Sequence, residues 1–360
     1  MKSTRRFFQI SILACFFIMG SGISNSIAAD REVFIEVPLG LPELISPDDN
    51  PLTLAKIELG KMLFFDPRLS VSGEISCATC HDPQLGYSNA APFAVGHKHA
   101  VGGMNSPTVL NSAYSTTMFW DGRESSLEGQ AGGPMTASVE MSGCPNEIAQ
   151  IINKVPEYRE LSMIAFGEYL SFENIKKAIG AFERTILSGN SDFDKYYYGE
   201  EEGAMSAAAI RGKKLFDDPD AGNCKKCHTY TKTDGYFSDN MFHNVGIGFD
   251  DKLNKGEEYP PGRYAVTNDL ADKGRFKTPT LRNVTQTGPY FHDGRTYSLK
   301  EATILCLNGV PNKNLDPEYK TKRKLSDSEL DDVVEFMKAL TGELPIYAIP
   351  AIPGYKQVSK

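Results

Sequence analysis

Two copies of one five-residue pattern constrain what this chain can fold into. Cys77-Ala78-Thr79-Cys80-His81 and Cys224-Lys225-Lys226-Cys227-His228 both read C-x-x-C-H, the attachment signature of a c-type haem. Two thiols three positions apart can add to the two vinyl groups of one porphyrin, and the adjacent His then reaches the iron. A single copy would also fit a redox dithiol or half of a zinc site. Zinc, however, wants a second pair of ligands nearby, and neither motif has one close in sequence. Two copies behind an export signal imply two covalently bound c-type haems.

That signal is the first 28 residues. Lys2, Arg5 and Arg6 form the charged region, and residues 7–19 form an apolar stretch too short to span a membrane as a mature helix. Ser26-Ile27-Ala28 fits a cleavage site. Arg5-Arg6 also fits a twin-arginine leader, but that route exports folded proteins, whereas c-haem is attached to an unfolded chain after export. The expected location is the bacterial periplasm. Cleavage removes three basic and no acidic residues, taking the formal charge from −8 to −11. That charge disfavours nucleic acid as a partner. Of seven cysteines, Cys15 lies in the leader and four lie in the motifs. Cys144 and Cys306 remain, and an oxidising compartment permits a disulfide between them.

The 360 residues suffice for two domains, and an internal repeat divides them. Gly60-Lys61-Met62-Leu63-Phe64 with Asp66-Pro67 precedes the first motif, and Gly212-Lys213-Lys214-Leu215-Phe216 with Asp218-Pro219 precedes the second. After the motifs, Ser106-Pro107-Thr108, Asn111 and Phe119-Trp120-Asp121-Gly122-Arg123 match Thr278-Pro279-Thr280, Asn283 and Phe291-His292-Asp293-Gly294-Arg295. Pro107 to Pro279 and Gly122 to Gly294 share an offset of 172. Trp120 and His292 occupy matched places, where a repeat has specialised its halves.

Phe172, Ile175, Ile179, Phe182 and Ile186 keep helical spacing and close the first half. Residues 190–192 and 199–203 read as a linker. Ser326 with Glu329 forms a capping box, Leu330, Val333, Met337 and Leu340 make one apolar face, and Gly342 marks the stop. Few stretches alternate with period two. The expected fold is mainly α, two tandem cytochrome c-like domains with long haem-wrapping loops. The expected boundaries are 29–188 and 189–344, with an irregular tail over 345–360.

Together with Asn105-Ser106-Pro107-Thr108, Val139-Glu140-Met141 and Thr280-Leu281-Arg282-Asn283 followed by Pro289-Tyr290-Phe291-His292-Asp293-Gly294, these features resemble the bacterial di-haem cytochrome c peroxidases and their MauG-like relatives. The resemblance covers roughly residues 45–342. It implies a Ca²⁺ between the domains and often a homodimer. It also implies an N-terminal haem that meets hydrogen peroxide and a C-terminal haem that takes in electrons from a small cytochrome c or cupredoxin.

By the same resemblance, His81 and His228 are proximal ligands. His97 matches a His that reversibly blocks the peroxide haem; the alternative is a solvated loop His. Glu140 matches the acid/base beside the open iron face, where peroxide cleavage needs a proton moved from one oxygen to the other. Trp120, the only Trp, lies between the haems in that family; a lone Trp is otherwise core packing. Asn105, Thr287 and Pro289 match its calcium positions, hard-oxygen donors with water completing the shell.

One position departs from the pattern. Fourteen residues after His292, peroxidases place a Met that ligates the second haem and MauG-like proteins a Tyr. Here the residue is Cys306, with no Met or Tyr within eight residues. Cys306 either ligates the iron, pairs with Cys144 or is inert, or leaves the iron open or to another donor. The function this resemblance leads one to expect is that of a periplasmic peroxidase. The rivals are a MauG-like enzyme that oxidises residues of a partner protein and a non-catalytic di-haem electron carrier.

Overall fold

The computed structural model describes residues 31–248, 261–320, 324–345 and 347–355; the leader lies outside them. Among the described residues there are eleven α-helices: α1 (Leu54–Phe64), α2 (Cys77–Cys80), α3 (Leu127–Thr136), α4 (Pro145–Ile152), α5 (Pro156–Phe166), α6 (Phe172–Glu183), α7 (Asp192–Tyr197), α8 (Ala207–Asp217), α9 (Tyr264–Thr267), α10 (Leu299–Asn308) and α11 (Asp327–Lys338). Two short strands, β1 (Phe242–His243) and β2 (Phe276–Lys277), pair antiparallel with Phe242 opposite Lys277. The fold is mainly α with long loops, as the sequence implies.

Each half is built on one crossing of two helices. Ser171 caps α6 by accepting from the Asn174 N–H, and Ser326 with Glu329 forms the capping box of α11. The apolar stripe of α6 then packs on α1, and that of α11 packs on α8. Both crossings are too close for a side chain at the contact. A Cβ on Gly60 would meet the Ala178 carbonyl oxygen at 1.8 Å, and one on Gly212 would meet that of Asp332 at 1.8 Å. The cores follow: Leu59, Leu63, Phe64, Ile175, Ile179 and Phe182 in the first half, and Phe193, Phe216, Phe237, Phe336 and Leu340 in the second.

The offset of 172 persists in the backbone. Asn111 and Asn283 take positive φ of 59° and 56°, and Phe119 and Phe291 of 66° and 72°. The two asparagines clamp the seam between the halves. Asn111 exchanges two hydrogen bonds with the Ser188 backbone, and Asn283 Nδ2 donates to Ser188 Oγ at 2.8 Å. Arg282 and Asp194 form an ion pair at 2.8 Å with no exposure of either side chain. Arg282 also donates to the carbonyl of Gly40 at 2.8 Å, fixing the segment that precedes α1.

Three local expectations shift. The α6 helix ends at Glu183, and Ile186 stays buried in the turn beyond it. The expected linker contains α7, held by a capping box from Ser191 to Asp194; six residues are too few to show a stripe. Gly342 does not stop α11, which ends at Lys338; its N–H donates instead to Asn283 Oδ1 at 2.9 Å. The irregular tail runs back over the first half, where Tyr347 donates to the Thr185 carbonyl at 2.8 Å and Arg68 to that of Pro353 at 2.9 Å.

Candidate functional site

Each motif is wound into a helical turn that puts its two thiols on one face. Cys77–Cys80 is α2, with Ser76 and Thr79 closing a capping box. Cys224–Lys226 is a 3₁₀ turn that runs into Cys227 and His228. Nδ1 of His81 lies 3.3 Å from the Tyr87 carbonyl oxygen, and that of His228 lies 3.2 Å from that of Phe237. Such a bond places the proton on Nδ1 and leaves Nε2 as the metal donor. Burial lowers both pKa values, against the backbone hydrogen bonds.

One continuous cavity runs past both motifs. Met118, Phe119, Leu127 and Met141 wall it in the first half, and Val245, Leu281, Leu299 and Val333 in the second. Lys277, from β2, spans to the first half, its Nζ donating to Ser115 Oγ at 2.6 Å and to the Thr117 carbonyl at 2.5 Å. No carboxylate among the described residues pairs with it, and burial pulls its pKa down to about 8. A largely apolar cavity with two pairs of motif cysteines, the two motif histidines and an ammonium paired with no carboxylate among the described residues fits haem c, whose propionates would supply the missing charge.

Glu140 faces this cavity at the His81 end, as does Arg123. Burial raises the Glu140 carboxyl, and Arg123 opposes the rise. Arg123 lies over the Phe119 ring at 3.4 Å and pairs with Asp121 at 3.0 Å. His97 does not form the cavity wall; Gly96 does. The His97 N–H donates to the Glu140 carbonyl at 2.7 Å, and its Nδ1 is buried with no partner. A Cβ on Gly96 would meet the Val139 carbonyl oxygen at 2.1 Å, so glycine is what lets this loop lie on the Glu140 turn.

Trp120 lies in the seam between the halves. Its Nε1 donates to the Asn105 carbonyl at 2.9 Å, and its own carbonyl accepts from the Lys277 N–H at 2.8 Å. The Asn105 N–H donates to the carbonyl of His292 at 2.7 Å, so the matched residues of the repeat meet at Asn105. His292 stacks on Phe276 with ring centres 3.6 Å apart, and burial lowers its pKa to about 4. Asn105, Thr287 and Pro289 line the same cavity. Asn105 spends its Nδ2 on the carbonyls of Ala91 and Pro92, which leaves Oδ1 for another partner.

Cys306 lines the cavity at the His228 end, whereas Cys144 is exposed, and both are free. The disulfide is therefore absent. Burial, with help from Cys227, pushes the Cys306 thiol up to about 12. Tyr319 shares this wall, and burial together with Cys306, Cys227 and Cys224 raises its pKa. It was invisible to residue counting because it follows Cys306 by thirteen positions across a loop. Nearby, His243 is held between Asp239 and Asp316 at 2.9 Å each. These two carboxylates push its pKa up to about 12, so it is a fixed cation beside Cys227. Although Cys227, Asp239 and His243 lie within 4.8 Å of one another, haem attachment consumes the thiol.

The di-haem cytochrome c peroxidase family matches residues 54–202, and the cytochrome c family matches residues 209–341. The methylamine utilization protein MauG of Methylorubrum extorquens is 38% identical over 310 residues, which cover 85% of this chain and 84% of that protein. The cytochrome c551 peroxidase of Pseudomonas aeruginosa is 36% identical over 308 residues, covering 84% and 83%. A solved MauG-like protein associated with microbial copper homeostasis superposes with a TM-score of 0.75 at 29% identity, over 86% of this chain and 95% of that one. The fold and site thus define a haem c oxidoreductase of two tandem cytochrome c-like domains. The chain belongs to the family of di-haem cytochrome c peroxidases and MauG proteins.

Proposed function

We propose that this protein is a periplasmic peroxidase that reduces hydrogen peroxide to two waters, using two protons and two electrons from a small cytochrome c or cupredoxin. The observation that carries this reading is the asymmetry of the cavity. A carboxyl, Glu140, faces it at the His81 end, and a sulfur donor, Cys306, faces it at the His228 end. Haem c at His81 supplies an iron centre at which the O–O bond can be split. Glu140 would take a proton from one peroxide oxygen and return it to the other, which would leave as water. Arg123 opposes the rise that burial imposes on that carboxyl. Trp120 offers an oxidisable ring in the seam between the two haem sites, and Asn105, Thr287 and Pro289 hold a Ca²⁺ beside it. The leader pattern in the first 28 residues supports the periplasmic location.

His97 gates the site in this reading. His97→Gly should make the His81 haem high-spin in the oxidised protein and let it bind azide without prior reduction. A spectrum identical to wild type in both redox states would leave His97 a loop residue. The half-reduced wild type should also bind azide; an electron carrier would hold both irons six-coordinate throughout.

A MauG-like oxidation of a partner protein is the second reading. It is favoured by Cys306, where a thiolate would stabilise an oxidised metal.

A further inference from the structure

The two halves of the molecule disagree at one buried position. The helix crossings superpose the repeat: a Cβ on Gly60 would lie 3.0 Å from that of Phe182, and one on Gly212 3.0 Å from that of Phe336. The next residue is Glu183 in α6 and Met337 in α11. Both line the cavity, and they are 4% and 5% exposed. Met337 establishes that an apolar side chain fills this place in the fold, so packing does not require a carboxyl. Glu183 Oε2 is buried with no hydrogen-bond partner. A buried carboxylate oxygen without a hydrogen-bond partner is costly, and the Met337 side chain at the matched place carries no such cost.

We propose that Glu183 is the proton-holding group of the Cys77–His81 haem pocket, binding a proton when the iron there is reduced and releasing it when the iron is oxidised. The linkage is electrostatic. One electron from an external donor takes ferric to ferrous iron and removes one positive charge. The nearby carboxylate then binds one proton from solvent more tightly, and no other bond changes. The inference rests on the haem at His81 and not on any substrate.

The surroundings suit this role. Burial raises the Glu183 carboxyl to about 8, with Arg184 opposing and Glu128 assisting. Arg184 is committed to Glu128 of α3 at 2.6 Å. On α1, Lys56 donates to the Pro51 carbonyl and Lys61 pairs with Glu58. Lys176 and Lys177 of α6 pair with Glu173 and Asp49, and Glu147 of α4 is exposed. Tyr347 of the tail packs on Phe182 with its pKa raised by burial. Glu140 lines the same cavity and, like Glu183, acts on the Cys77 thiol.

The test is a spectroelectrochemical titration of the holoprotein, without peroxide, on both sides of pH 8. The midpoint of the His81 haem should fall as pH rises, by up to about 59 mV for each tenfold drop in proton activity. Haem propionates add a slope common to all variants, so the Glu183 contribution is wild type minus variant. Glu183→Met, which copies the second half of the molecule, and the near-isosteric Glu183→Gln should both flatten the curve. Neither should alter the slope of the His228 haem, and the Glu183 contribution should persist in a Glu140→Gln background. If Glu183→Met fails to take up haem, Glu183→Gln alone decides. An unchanged slope in the Glu183 variants, or a Glu183 contribution that vanishes in the Glu140→Gln background, overturns the proposal.

Discussion

Glu140→Gln should leave both haems attached and slow peroxide turnover by about 10²- to 10⁴-fold, the usual worth of a positioned acid/base. The change is nearly isosteric, and the Glu140 side chain contributes no hydrogen bond to the fold; its backbone carbonyl receives His97 in either protein. The lost function is proton transfer between the two peroxide oxygens. A pH profile gives an independent check. Glu140 must be ionised to accept the first proton, and burial raises its pKa above the ordinary carboxylate value. The kcat/KM for peroxide should therefore fall as pH drops through that raised pKa. Arg123→Ala removes the opposing charge and should move this acid limb to higher pH. Steady-state kinetics of both variants read these effects. An unchanged kcat/KM in Glu140→Gln removes the carboxyl from the mechanism.

Cys306→Met should raise the midpoint potential of the His228 haem by a few hundred millivolts. Axial ligands span about 0.8 V across haem proteins, and axial Met lies toward the high end. Burial pushes the Cys306 thiol up to about 12, but a coordinating thiol is deprotonated outright. Bound as thiolate, this sulfur would favour ferric iron. Since each ~59 mV is a factor of ten for one electron, a His228 haem so ligated should be a reluctant acceptor from an ordinary cytochrome c. It should also be better able than a Met-ligated haem to hold an oxidising equivalent. Low-spin ferric EPR of thiolate type should vanish in Cys306→Ala and become Met-type in Cys306→Met. Tyr319, on the same wall, supplies the control. If the phenol is the ligand instead, Tyr319→Phe changes the spectrum and Cys306→Ala does not.

Much of this was legible because covalent haem attachment writes its own spacing into the chain. The motifs, the repeat and the capping box at Ser326 are local patterns, and the structure places Glu140, Cys306 and both histidines around one cavity. What escaped is set by tertiary contact. Lys277 reads as an ordinary surface cation until β2 carries it across the seam to Ser115. Tyr319 reaches the Cys306 wall over a loop whose length no spacing rule specifies. Arg282 stood in a quoted motif, yet its buried partner Asp194 is 88 residues away. Glu183 follows the apolar stripe of α6 and looks like a solvated charge at a helix end. The signal was available, since pairing Phe182 with Phe336 sets Glu183 against Met337 and exposes the mismatch. Gly342 misled because a glycine after an apolar stripe reads as a cap, whereas here the residue serves the Asn283 clamp.

The most direct test of the peroxidase reading counts electrons. The reduced holoprotein is given limiting peroxide and an excess of a reduced small c-type cytochrome, and donor oxidation is followed against peroxide consumed. The account predicts catalytic turnover with two donor molecules oxidised per peroxide and a rate that collapses in Glu140→Gln. Peroxide consumed without donor oxidation, while residues of a partner protein become oxidised, would instead place the chain with the MauG-like activity. No peroxide consumption by a protein with both haems intact would contradict the enzymatic account altogether.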